Sequence, residues 1–108
     1  MKYLVTRLVP DKLGTYSAQS FYELRDKKPE LEELQKWVEG WVQVIPNWDK
    51  HGNMNCTAYC NEEGLYKDFA YNSEATQLWR RALTTISPDW DESMAHLVGP
   101  VVLVCELP

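Results

Sequence analysis

Apolar positions along this chain follow two rhythms, an alternation in some stretches and a spacing of three and four in others. Residues 2–9 carry β-branched and aromatic side chains and stop at Pro10, which cannot donate to a sheet ladder, so they predict a first strand. Pro10-Asp11-Lys12-Leu13-Gly14 is turn chemistry. Residues 15–24, with Tyr16, Phe21, Tyr22 and Leu24 among polar groups, predict a second strand paired with the first, although their alternation is imperfect. A helix follows. Pro29 suits its first turn, because the missing N–H would be unpaired there, and Glu30, Glu32 and Glu33 complement the positive end of its dipole. Leu31, Leu34, Trp37, Val38 and Trp41 fall on one stripe expected to be buried, and Gly40 is placed to close the helix in the left-handed conformation.

Residues 41–45 are almost wholly apolar up to Pro46, which predicts a central strand covered on both faces. The polar loop over residues 47–53 leads to a strand near residues 54–60, and Asn61-Glu62-Glu63-Gly64 forms a compact turn into a strand over residues 65–69. Asn72 or Ser73 can cap a second helix with the stripe Ala75, Leu78, Trp79, Ala82 and Leu83, Arg80 and Arg81 facing largely to solvent, until Ser87-Pro88 ends it. After a connector with Trp90 among aspartates, Gly99-Pro100 opens the buried strand Val101-Val102-Leu103-Val104-Cys105. The expected architecture is α+β: a single domain over residues 1–108, with a mainly antiparallel sheet of about five strands and two helices packed on it.

Composition agrees with one ordinary globular domain. The 108 residues are 44% hydrophobic and 25% charged, with no low-complexity tract or internal repeat. Eleven basic against sixteen acidic side chains give a formal charge of -5, which opposes binding to phosphate backbones and anionic lipid, so neither nucleic acid nor membrane is an expected partner. The carboxylates are scattered among lysines and arginines, unlike the one-sided array that imitation of DNA requires. No stretch approaches the roughly 20 apolar residues of a membrane span, and Thr6 and Arg7 interrupt the first apolar run before it reaches the length of a signal peptide core. Three cysteines, an odd number, then point to a reducing cytoplasm with free thiols.

The order of the motifs carries a resemblance. The helix, glycine and strand of residues 31–46, the turn Asn61-Glu62-Glu63-Gly64-Leu65, Asn72 with Ala75, and Leu97-Val98-Gly99-Pro100-Val101-Val102 together resemble a family of phage and bacterial proteins known as domain of unknown function 3846. The likeness spans about residues 31–104. Each element is a structural device, and it is their order that is specific. The resemblance implies a small protein of phage or mobile-element type and supplies no catalytic residue. The segment over residues 16–28 departs from it, being longer than the family's usual link into the first helix.

Candidate chemistry is sparse. Cys56 and Cys60 share a strand face but lie about 13 Å apart along an extended chain, too far for one metal ion, so no metal or cofactor is expected. With Ala58 between them they suit close packing of a helix. His51 and His96 have no spacing that specifies a base beside a nucleophile, the carboxylates fall in turns and connectors, and the five glycines are isolated at element ends, so no phosphate loop exists.

The tryptophans distinguish themselves. Trp37, Trp41 and Trp79 lie on helical stripes and read as core, whereas Trp48 and Trp90 lie in polar loops, where each either folds back as a lid or offers a contact surface. With His51, Tyr71, Asn72 and Arg80 they form the candidate binding set: Tyr71, Asn72 and Arg80 lie at or near the start of the second helix, whose N–H groups can receive an anion. The expected function is a non-enzymatic accessory protein that binds a host protein. The alternative is a binder of small nucleotide-like ligands, with a small enzyme behind it, and self-association through an unpaired sheet edge stays open.

Overall fold

A computed structural model describes residues 2–10, 19–64, 69–86 and 96–108, without the side chains of residues 84–86. In chain order the elements are β1 (Tyr3–Val9), β2 (Gln19–Arg25), α1 (Leu31–Val38), β3 (Val42–Val44), β4 (Lys50–His51), β5 (Met54–Asn61), α2 (Ser73–Ile86) and β6 (Val101–Glu106). The six strands form one antiparallel sheet in the order β2-β1-β6-β5-β3, with β4 also paired to β5. This is the expected α+β fold. The strand read at residues 65–69, the turn at residues 11–14, and the connector with Trp90 lie outside the described residues, apart from Phe69.

Strand alternation divides the core into two layers. Leu8, Cys56, Ala58, Val101, Leu103 and Cys105 point to the face covered by α2, where Ala75 is buried and Leu78, Trp79 and Ala82 pack partly against them. Val5, Val102 and Val104 point the other way, under Leu34, Val38 and Trp37 of α1. The helices therefore clamp opposite faces, which is why β6 is buried from Val101 to Cys105 and reads as an uninterrupted apolar run.

Two buried asparagines tie the helices to this sheet. Asn72 is fully buried; its Nδ2 donates to Leu8 O at 3.0 Å and Gly99 O at 2.9 Å, while its Oδ1 accepts from Ala75 N at 3.1 Å. It thus caps α2 and fastens the cap to β1 and the approach to β6. Thr76, also fully buried, accepts Leu97 N at 3.0 Å. On the other face Asn61 donates to Val38 O at 2.9 Å, satisfying a terminal carbonyl of α1, and accepts Glu63 N at 2.8 Å to form the turn. Gly99 is required by two constraints: its φ is 74°, and a Cβ there would meet the Phe69 ring at 2.9 Å.

Two expectations are corrected around β3. The helix closes on Glu39, which adopts the left-handed conformation (φ 64°, ψ 39°), one residue before Gly40. Residues 41–45 do not form a central strand: β3 has three residues, lies at the sheet edge and pairs only with β5. Leu31 at 60% exposed and Trp41 at 65% consequently leave the expected buried stripe. Trp41 lies beyond the last helical residue, so a 3.6-residue periodicity extended to it has no helix to follow.

Replacing Asn72 with Ala is expected to destabilise the fold by about 2–4 kcal/mol in urea unfolding, because two buried carbonyls and one N–H lose partners together. Asn72→Asp should retain the cap acceptor yet remain destabilised, since a carboxylate cannot donate to Leu8 and Gly99.

Candidate functional site

The expected binding residues do not converge. After Ile45 N donates to Ala58 O at 2.8 Å, the chain turns through Asn47 (φ 61°) and returns so that Cys56 N reaches Asp49 O at 3.0 Å. Trp48 is thereby folded onto the α2 face at 2% exposed, in the same cluster as Ile45 and Cys56, and its carbonyl accepts the Cys56 thiol at 3.8 Å. A contact role for this indole is corrected: it fills the core, and its Nε1 has no hydrogen-bond partner among the described residues. Asn72 is corrected for a different reason. Its amide is spent on the fold, and its own oxygen already occupies the N–H group of Ala75 that an anion at this helix start would need.

Tyr71 remains accessible, at 42%, with its ring stacked on His96 at 4.6 Å between centroids and 18° between planes. His51 is half-buried at the end of β4 and lines a groove of ≈ 770 Å³ with Asp49, Lys50, Arg81, Leu78 and Ala82. Arg80 is half-buried and already engaged within the chain, and Trp90 lies outside the described residues. His51 and Tyr71 thus belong to different surfaces.

Among the described residues the exposed indole is Trp41. Its 65% exposure, with Val44 at 54% exposed on the neighbouring edge strand, presents apolar surface that the domain's own core does not use. No local sequence signal finds it, because its exposure follows from where α1 stops and from the place of β3 in the strand order.

A smaller cleft of ≈ 170 Å³ brings Cys60, Glu62, Trp79 and His96 onto common walls. Trp79 is held across it by donation from Nε1 to Pro46 O at 2.9 Å. Among the described residues no hydrogen bond joins Cys60 to His96, and burial pushes the Cys60 thiol up to about 11, which favours an inert thiol over a thiolate. Cys56 and Cys105 lie directly opposite one another on β5 and β6, and the Cys56 thiol is pushed up by hydrogen bonding with Cys105 and by burial. No cluster of three or more His, Cys, Asp or Glu side chains suited to a metal occurs among the described residues.

On the α1 face, charge is paired internally. Arg25 forms a fork with Glu33, including Nη2 to Oε2 at 2.6 Å, and its Nε reaches Glu23 at 3.1 Å. Arg7 lies 4.7 Å from the Phe21 ring and 5.1 Å from that of Trp37. The guanidinium of Arg25 holds the Glu33 carboxyl below its ordinary value of 4.5.

The model of the family described as a domain of unknown function, DUF3846, matches residues 14–107. The chain belongs to this family. The match reaches beyond the span of the sequence motifs to take in β2 and the end of β6, and covers every described strand except β1. No curated protein and no solved structure gives a significant match. No helix among the described residues of this DUF3846 chain is long and apolar enough to cross a membrane.

Alkylation of Cys60 by iodoacetamide, followed by mass spectrometry, should be slow at neutral pH and keep accelerating toward pH 11; two pH units above the ordinary value of 9.0 leave about a hundredfold less thiolate. Glu33 acts in the acid range. Its lowered pKa contributes stability that is present above pH 4.5 and lost as pH falls further, so urea midpoints should decline there, and decline less in Glu33→Gln.

Proposed function

We propose that this DUF3846 chain is a non-enzymatic accessory protein, of the phage type that the family resemblance implies, which binds a host protein in the host cytoplasm. The observation that carries the reading is Trp41, 65% exposed beside the exposed Val44 at the β3 edge. Tryptophan combines a large apolar area with few rotamers to freeze and is enriched among residues that dominate binding energy. A formal charge of -5 favours a partner surface with basic character around the apolar contact. Burial, which pushes the Cys60 thiol up, supports binding over nucleophilic chemistry in the cleft that Cys60 shares with His96.

A second reading, a small ligand of nucleotide type, is favoured by the groove that Lys50, His51 and Arg81 line together with Asp49 and apolar Leu78 and Ala82. It does not use the helix start or Trp48. The two readings separate in one experiment. The immobilised chain, exposed to bacterial lysate, should retain a host protein that Trp41→Ala fails to retain while keeping its circular dichroism. Retention unchanged by Trp41→Ala, or saturable nucleotide binding by calorimetry without protein capture, would overturn the first reading.

A further inference from the structure

Two of the three cysteines are placed so that one bond can join them. Cys56 of β5 and Cys105 of β6 are directly opposed in register and belong to the same buried cluster under α2, so their side chains leave the sheet on one face. Backbone hydrogen bonds fix the kind of pair they form. In an antiparallel strand the N–H and C=O of a residue point to the same side, and that side alternates from one residue to the next. Cys56 N donates to Asp49 O at 3.0 Å, and Ala58 O, two residues on, accepts from Ile45 N at 2.8 Å, so the backbone of Cys56 faces away from β6. Leu107 N donates to Lys2 O at 2.9 Å, which by the same alternation turns the backbone of Cys105 toward β1 and away from β5. The cysteines are therefore a non-hydrogen-bonded pair, whose Cα atoms stand about 4.5 Å apart with the side chains at their closest approach. That separation falls within the roughly 4.4–6.8 Å that a disulfide spans. The two thiols are already in hydrogen-bonding contact.

We propose that Cys56 and Cys105 form a cross-strand disulfide when the protein meets hydrogen peroxide. The sulfur of Cys56, which keeps 9% exposure against 0% for Cys105, attacks the oxidant. An S–O bond forms, the O–O bond breaks, and the thiol proton leaves with the departing hydroxide as water. Cys105 then attacks the sulfur of Cys56; the S–S bond forms as the S–O bond breaks, and the hydroxide leaves with the second thiol proton as another water. Two electrons pass from the sulfurs to the peroxide. Burial and the contact with Cys105 hold the Cys56 thiol protonated, so the first step is slow at neutral pH and quickens as pH rises. Cys60 takes no part: it opposes Gln43 on β3 and lies about 13 Å from Cys56 along β5. The bond staples β5 to β6, the junction between the β2-β1-β6 half of the sheet and the rest, and does not involve Trp41.

Exposure of the full-length Cys60→Ser chain to hydrogen peroxide, followed by peptide mapping without reduction, reads the bond directly. The expected result is a linked pair of peptides containing Cys56 and Cys105, an intact mass lower by two hydrogens, and a urea midpoint that rises and returns with dithiothreitol. Cys105→Ala in the same background should instead stop at a sulfenic acid on Cys56, trapped by dimedone, with no rise in the midpoint. Refolding from urea in oxidised glutathione separates access from geometry, because it makes the same link without a peroxide having to reach buried sulfur. A link that forms only on refolding overturns the peroxide step, and no link under either condition overturns the pairing. Stable oxyacids on both cysteines, links between chains, or an oxidised chain whose midpoint falls also overturn the proposal.

Discussion

The buried amide of Asn72 is the junction on which the two-sided arrangement of this domain depends. A sheet covered by helices on both faces has little access to water at its centre, so the polar groups where the chain enters and leaves that centre must find partners inside the protein. Asn72 supplies them at the point where β1 ends, β6 is approached and α2 begins. One side chain therefore aligns a strand, a crossing segment and a helix start. Asn61 performs the related service for α1 by accepting a turn N–H and donating to the last helical residue. The same geometry removes Asn72 from any list of ligand groups: a residue that satisfies three backbone groups in the core has nothing left to offer outside.

Much of this was legible from local pattern. The β6 run, the α2 stripe and the Asn-Glu-Glu-Gly turn each depend on neighbours in sequence, and each lies where its periodicity places it. The pairing of β1 with β2 was readable despite the weak alternation of β2, which follows from its edge position: most of its residues are exposed on either face. What failed was the status of tryptophans near element ends. Trp41 reads as core only if the helical rhythm runs past Val38, and it does not. Trp48 sits among polar residues, and its burial depends on long-range bonds from Ile45 to Ala58 and from Cys56 to Asp49 that no local window contains. Trp48 thus took the lid role, one of the two open to it, while Trp41 left the core role expected of it.

The candidate site was less legible than the fold because its residues were chosen for chemical type. Tyr71 and His51 are accessible but face different surfaces, and Arg80 is engaged within the chain. Among the described residues most of the exposed large apolar side chains lie at or beside the two sheet edges, Trp41 and Val44 at one and Tyr22 and Leu24 at the other, with Leu31 and Tyr71 outside them. Neither edge is predictable before the strand order is known.

The strand order also has a consequence for how the molecule is made. β6 is the last of the described strands in the chain, yet it occupies the middle of the sheet, joining the β1–β2 hairpin to β5 and its neighbours. While the polypeptide emerges from the ribosome, no described strand joins the two halves of the sheet until residues 101–106 are released. The pairings that close the sheet, β6 with β1 above all, therefore span a large sequence separation, the kind of contact that is slow to form.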